Sequence, residues 1–512
     1  MKLFNTLTRR LEEFKPIRPP QVFMYTCGMT VYDHTTIGHM RTYVNTDFLK
    51  RTLEYLGYKV KMVENVTDVG HLVSDADVGE DKLQKKAEKE RKSAWEVAKE
   101  YEKEFYETLD KLNVLRPAVI TRATENIKEM IELVADLEKK GYTYIIPGDG
   151  VYFDTSKFSE YGKMAMVDKG ELEAGTRVEV VPGKKNPTDF ALWKFSPPDK
   201  IRDMEWESPW SKKSFPGWHI ECSVMAMKFL TQAFERGKYQ PEKFETIDLH
   251  TGGEDHITIH HPNEIAQTEA STGKKFANFW FHNRFLMIEG QKMSKSLGNF
   301  YTLRDIEEKG FTPIAVRYLF ATAHYRQRLN FTWESLGAAQ TALSRLYENV
   351  SMLRGKNRSD LFNNGGVKLS DPKGVNVKVK LSDPKGVNVK VEGREKGWRE
   401  RFNEAISDDL NMPQALALVW EMLKSDLEDD QKYGLLLDWD RVLGLNLKQF
   451  KVKSEKFKVD EEIQKLVDER EKLRREEKWQ DADEVREKIE KEGWTVEDTE
   501  SGPKLKKKLP NE

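Results

Sequence analysis

The sequence predicts an α/β protein: a parallel-sheet domain interrupted by an insertion, then a run of helices and a small C-terminal domain. Three observations carry this. VFMYTCGMTVYD reads as a strand closed by a glycine turn, MRTYVNTDFLKRTLEYLG has helical spacing ending at Gly57, and YKVKMVENVTDV reads as the next strand. WHIECSVMAMKFL and ETIDLHTGG resume this alternation far downstream, as a parallel sheet with crossover helices requires. From about residue 331 the pattern is helical and charged to the end.

Between these landmarks the elements follow in order. Residues 80–112 read as a long, highly charged helical stretch. Residues 122–213 begin with a helix (NIKEMIELVADLEKKG) and continue as short strands (YTYIIPGDGVYFDTS), as an insertion between two halves of the sheet domain would. VKLSDPKGVNVK at 367–378 repeats identically at 379–390. Its Val/Lys alternation and Pro-Lys-Gly turns predict a surface β-hairpin pair, a duplication tolerated in a loop and assigned no function.

Composition excludes several classes. A third of the residues are charged and no segment approaches the ~18 consecutive apolar residues of a membrane span. The N-terminus lacks a signal-peptide core, so a cytoplasmic location is expected. A net charge of −2 neither suggests nor excludes nucleic acid, because a basic face can hide in a neutral total. Two cysteines in 512 residues cannot form a disulfide framework, and on counts alone they read as buried thiols. All ten histidines lie between His34 and His324, which places metal and proton chemistry in the first two thirds of the chain.

Two motifs carry phosphate chemistry. In TTIGHMR, Gly38 keeps the backbone close-fitting at a helix N-terminus, where the amide dipoles favour an anion, and His39 can donate to a phosphoryl oxygen. In KMSKS, Lys292 and Lys295 place two ammonium groups three residues apart on a loop of small residues. In this order the pair resembles the HIGH and KMSKS signatures of class I aminoacyl-tRNA synthetases, with Thr36 standing where the first His would be.

A third group is more specific. YTCGMTVYD carries Cys27, FPGWHIECSVMAM carries Cys222, and LHTGGEDHITIHHPNEIAQ carries His260 and Glu264. Two thiolates, an imidazole and a carboxylate make a plausible zinc shell. His260 and Glu264 share a helix face if the helix runs through both, but Pro262 suggests that the helix only begins there, which leaves His261 a rival ligand.

These segments resemble the cysteinyl-tRNA synthetase family. The resemblance extends along nearly the whole chain through NVTDVGHL (65–72), RATENI (122–127), DFALWK (189–194), AHYRQRLNF (323–331) and DDLNMPQALA (408–417). It implies a Rossmann-type catalytic domain in two halves (1–121 and 214–280) around a connective insertion (122–213). A KMSKS-bearing connector (281–335), a helical-bundle tRNA-binding domain (336–455) and an anticodon-recognition domain (456–512) would follow. It implies one zinc ion held by Cys27, Cys222, His260 and Glu264, with His250 and His256 fixing the ligands' orientation. ATP with magnesium would be bound by Thr36, Gly38, His39 and Lys295. His39, Lys292 and Lys295 would be catalytic, and Thr30, Trp218 and His219 would line the amino-acid pocket. Arg474, Trp479, Asp483 and Asp498 would read the anticodon. The implied partners are tRNA(Cys), L-cysteine and ATP, with no membrane and a monomeric chain. Two alternatives stand beside it: a cysteine ligase acting on a small amine, disfavoured by the intact tail, and a non-catalytic tRNA-binding paralogue, disfavoured by the retained ligands and lysines.

Overall fold

An N-terminal hairpin, β1 (Lys2–Asn5) and β2 (Arg10–Glu13), leads into the first sheet strand, β3 (Gln21–Thr26). The computed structural model describes residues 1–70, 81–165, 181–197, 202–293, 297–363, 393–448, 461–476, 478–492, 494–499 and 502–507. After β3 the chain leaves the sheet at Cys27 and loops to α1 (Ile37–Tyr55), so the predicted strand is shorter than VFMYTCGMTVYD. Gly28 explains the exit: its amide bonds Asn65 Oδ1 at 2.7 Å, and a Cβ there would stand 1.6 Å from the Asn65 carbonyl oxygen. α1 ends at Tyr55, and Gly57, with a φ of +94°, turns the chain into β4 (Lys59–Val66).

The charged stretch 80–112 is two helices, α2 (Lys82–Glu90) and α3 (Ala94–Lys111). Left-handed Arg91 ends the first, and Ser93 with Glu96 forms a capping box that starts the second. β5 (Val119–Arg122) follows. The insertion is α4 (Ile127–Lys139) and a four-stranded antiparallel sheet of β6 (Thr143–Ile146), β7 (Gly150–Phe153), β8 (Phe190–Phe195) and β9 (Ser214–Pro216). Then come α5 (Trp218–Leu230), a short ribbon of β10 (Phe234–Glu235) and β11 (Lys238–Tyr239), β12 (Ile247–Gly253), α6 (His260–Thr272) and β13 (Ala277–Asn283).

The central sheet is all parallel, in the order β13-β12-β3-β4-β5. Its first strand in the chain is therefore the middle one, and the crossovers reverse direction between β3 and β12. In such sheets ligands bind beyond the carboxyl ends of the strands at that reversal. Alternate residues face opposite layers: Met24 and Met62 pack towards α1, whereas Tyr25 and Val63 pack towards α4, α5 and α6.

The sheet β14 (Leu286–Ile288), β15 (Gln291–Lys292) and β16 (Leu329–Phe331) follows, with α7 (Leu303–Glu308) and α8 (Pro313–Ala321) between β15 and β16. The remaining helices of the first compact unit are α9 (Trp333–Asn363), α10 (Gly393–Ser407), α11 (Met412–Leu423) and α12 (Asp429–Leu443). This helical region is not separately cored, because its apolar faces merge with α1 and one sheet face in a single cluster. A buried ionic junction reinforces the contact: Asp47 on α1 accepts from Arg51 Nε at 2.7 Å and from Arg317 Nη2 of α8 at 2.6 Å. The 367–390 duplication lies outside the described residues.

The chain divides into two compact units, Met1–Lys448 and Gln449–Glu512. The second contains α13 (Glu461–Arg475), α14 (Trp479–Lys491) and the hairpin β17 (Trp494–Thr499) and β18 (Gly502–Lys507) around a core that includes Ile463, Val467, Val485, Ile489, Trp494 and Val496. No described helix is long and apolar enough to cross a membrane.

Candidate metal centre and nucleotide cleft

Four side chains from three segments far apart in sequence converge at the sheet reversal. Cys27 follows β3 directly and is held against β12 by its amide, which donates to the Thr251 carbonyl at 3.2 Å. Cys222 comes from α5, and His260 and Glu264 from α6. One donor atom from each lies within 4.8 Å of all the others, and all four residues are buried. His260 opens α6, two residues before Pro262, so the helix starts earlier than the proline suggests. Proline is tolerated in the first helical turn because the amide it lacks has no partner within the helix. His260 and Glu264 thus lie one turn apart, His260 Nε2 2.7 Å from Glu264 Oε1.

A second set, Cys27, His250, His261 and Glu264, also brings one donor atom from each residue within 4.8 Å of all the others. His250 Nε2 is 2.6 Å from Glu264 Oε2, and His261 Nε2 is 3.4 Å from Cys27 Sγ. His260 and His261 are each steadied through their other nitrogen, whereas His250 Nδ1 is buried without a hydrogen-bond partner among the described residues. His260 Nδ1 faces His219 Nδ1 at 2.9 Å, and His261 Nδ1 faces His282 Nε2 at 2.7 Å, with Thr6 Oγ1 beyond at 2.9 Å from His282 Nδ1. His282 carried no signal beyond being a polar residue in the apolar strand FWFHN.

Electrostatics separates the two imidazoles. Burial pushes His260 down, but Glu264 and Cys222 outweigh it and raise it to about 10. Burial and the neighbouring His250, His282 and His256 hold His261 well below the ordinary value. Burial would raise Glu264, yet His250 and His260 keep it well below the usual carboxylate range. Burial and the neighbouring Cys222 push Cys27 up. Cys222 is held below the ordinary thiol value despite burial, by the hydrogen bond from Cys27 and by His260. The donors fit a zinc ion: two sulfurs, one imidazole nitrogen and one carboxylate oxygen, mutually close and shielded from water. The set containing Cys222 supplies both thiolates, which a borderline-soft cation prefers.

The cluster abuts a cleft of about 450 Å³. Cys27 and Trp218 line one part of it, and Thr36 and His39 another, with Thr30 and His256 also on the wall. Thr36 and His39 form a reciprocal cap in which Thr36 N donates to His39 Nδ1 at 3.2 Å. Trp218 packs on His260 with ring centroids 4.4 Å apart, and the buried His219 ring lies against both, 5.3 Å from Trp218 and 4.9 Å from His260, without lining the cleft. Gly298, Phe300 and Thr302 bring the segment after KMSKS to the same cleft. Lys292 is exposed on β15, whereas Lys295 lies outside the described residues. In the second unit, the Arg474 guanidinium lies 5.6 Å from the centroid of the exposed Trp479 ring, Asp483 is exposed one turn along α14, and Asp498 sits on β17.

A family model described as the class I (C) tRNA synthetase catalytic domain matches residues 13–341. The chain is 43% identical over 506 residues to Cysteine--tRNA ligase 1 of Burkholderia lata, covering 99% of this chain and 96% of that protein. It is 39% identical over 516 residues to Cysteine--tRNA ligase of Treponema denticola, covering 99% and 100%. Among solved structures it is similar in fold to the LeuRS of Agrobacterium radiobacter K84 in a ternary complex with tRNA and LeuAMS, with a TM-score of 0.57 at 12% identity and 85% of each chain covered. Methionyl-tRNA synthetase of Mycobacterium tuberculosis bound by methionyl-adenylate gives 0.52 at 15% identity, covering 83% of this chain and 88% of that one.

Proposed function

The chain belongs to the cysteine–tRNA ligase family of class I aminoacyl-tRNA synthetases, and on that premise we propose that it activates L-cysteine with ATP and transfers it to the 3′ end of tRNA(Cys). The observation that carries this is the position of Cys27, which is both a donor in the buried cluster and part of the wall of the cleft holding His39. An amino-acid side chain at the cluster thereby shares a cleft with a phosphate group at the start of α1.

In the first step a carboxylate oxygen of cysteine attacks the α-phosphorus of ATP, and pyrophosphate leaves. In the second, a terminal ribose hydroxyl of the tRNA attacks the adenylate carbonyl, and AMP leaves. Thr36, Gly38 and His39 receive the phosphates at a helix N-terminus, and Lys292 and Lys295 neutralise charge as it develops; no covalent nucleophile is required. Trp218 and Thr30 close the amino-acid pocket, with His219 behind them. Cys27, Cys222, His260 and Glu264 would hold one zinc ion, and His250 and His256 would orient its ligands. When bound, zinc supplies a coordination position that takes a thiolate far better than a neutral hydroxyl. An apolar pocket alone discriminates sulfur from oxygen poorly.

In this reading the enzyme acts in the cytoplasm as a monomer, with ATP arriving as its magnesium complex. The six-segment division of the chain belongs to the same reading. The second compact unit, with Arg474, Trp479, Asp483 and Asp498, favours tRNA over a small amine as acceptor. Pyrophosphate exchange with cysteine and with serine, before and after zinc removal, tests the proposal. Exchange should depend on cysteine, exclude serine and be lost with the metal. Equal exchange with serine by the zinc-loaded enzyme, or no exchange with cysteine, overturns it.

A further inference from the structure

Arg41 lies on α1 two residues beyond His39 and is 1% exposed. Among the described residues its guanidinium makes no ion pair within salt-bridge distance; it is occupied by backbone carbonyls. Nη1 donates to Arg284 O at 2.8 Å and to Phe285 O at 2.9 Å, while Nη2 donates to His324 O at 3.3 Å and to Gln327 O at 2.5 Å. These carbonyls belong to two loops, one entering β14 and one entering β16. A planar fork can serve both loops at once, which a lysine ammonium cannot do in the same geometry.

The loop entering β14 leads to Lys292. The Lys292 ammonium lies 5.4 Å from the centroid of the Phe285 ring, and Lys292 pairs with Met287 across the β14–β15 hairpin. The far end of this segment is bonded to the same helix turn, because Ile37 N donates to Tyr301 O at 2.8 Å and Thr36 bridges Thr302. His39 thus sits between two attachments of one helix to one segment.

We infer that Arg41 is a positioning residue for the activation step, fixing Lys292 relative to His39 through the carbonyl and ring of Phe285. The inference rests on the activation reaction proposed above. Arg41 itself stays away from the reacting atoms and acts by setting the separation of two groups that do not.

Full-length zinc-loaded enzyme with the substitutions Arg41→Lys, Lys292→Ala and both together tests this by cysteine-dependent pyrophosphate exchange. Arg317→Lys, another buried arginine on the same core, is the stability control. Arg41→Lys should lower kcat at least about tenfold, leave the KM for cysteine within about twofold, and add little in the Lys292→Ala background, since groups acting through one link are non-additive. Effects that multiply in the double variant overturn the inference, as does an equal kcat loss in Arg317→Lys at matched thermal stability. If Arg41→Lys does not fold, Phe285→Ala probes the next link, with the same non-additivity with Lys292→Ala expected and multiplicative effects overturning it. Absence of cysteine-dependent exchange in the unsubstituted enzyme would instead refute the proposed reaction.

Discussion

Met293 packs over Gly38, its Cε 2.9 Å from the point where a Cβ on residue 38 would stand. The TTIGHMR and KMSKS motifs, far apart in sequence, meet at this contact. Gly38 has no positive φ, so alanine fits the backbone, and Met293 presents only the flexible end of its side chain. Gly38→Ala should therefore change stability by less than about 1 kcal/mol. It should nonetheless slow pyrophosphate exchange about tenfold or more by displacing Met293 and with it the adjacent Lys292. Thermal unfolding and exchange rates on the same preparation check this; an unaltered exchange rate would show that the contact is packing alone.

The two overlapping donor sets predict that different substitutions remove the metal. If Cys222 and His260 are ligands, Cys222→Ser and His260→Asn should each leave well under one zinc per chain after dialysis. His250→Asn and His261→Asn should retain the metal with affinity weakened roughly 10–100-fold, the usual cost of losing an orienting partner. Metal analysis against a graded chelator distinguishes them. Loss of zinc in His261→Asn with retention in His260→Asn would move the site to the other tetrad. Cys222→Ser should also erode the preference for cysteine over serine in pyrophosphate exchange.

Glu64, buried on β4, gives a pH signature separate from the metal. Burial raises its carboxyl to about 7, although the Tyr106 hydroxyl, donating at 3.1 Å, opposes the shift. The folded value lies above the unfolded one, so the stabilisation is complete below the unfolded value near 4.5 and disappears as pH rises through about 7. At about 1.4 kcal/mol per pKa unit the effect is roughly 3 kcal/mol. Glu64→Gln keeps an acceptor for Tyr106 and removes the titration. The variant should gain on the unsubstituted protein by up to that amount between pH 5 and pH 8.5 in unfolding midpoints. A pH-independent gap would show that Glu64 ionises freely.

The sheet was legible because strand and helix periods alternate cleanly through 21–66 and resume near 218. The meeting of Cys27, Cys222, His260 and Glu264 was legible only through resemblance, since no local spacing links residues on β3, α5 and α6. Other features escaped for physical reasons. The break in 80–112 depends on a left-handed Arg91, which its charged neighbours do not announce. Pro262 misled because its position in the first helical turn looks like a helix start. Arg41 and His282 are tied to groups distant in sequence, Arg41 to carbonyls beyond residue 283 and His282 to Thr6 and His261, and their own segments read as apolar helix and strand. The union of the helical region with the sheet core is likewise tertiary and leaves no periodic trace.

The second compact unit supports a prediction that separates tRNA recognition from chemistry. Trp479 begins α14 with 56% of its surface exposed, its ring 5.6 Å from the Arg474 guanidinium, and Asp483 follows one turn later on the same helix. The exposed ring, with a guanidinium beside it, offers a flat apolar face and a cation to an unstacked base and its phosphate. Base–aromatic stacking contributes about 1–3 kcal/mol by alanine substitution, so Trp479→Ala should raise the KM for tRNA in aminoacylation roughly tenfold or more. Pyrophosphate exchange without tRNA should be unchanged, because Trp479 belongs to a unit with its own core. Parallel losses in both assays would mean that the substitution damages the fold. Intact aminoacylation would mean that the ring does not touch the nucleic acid.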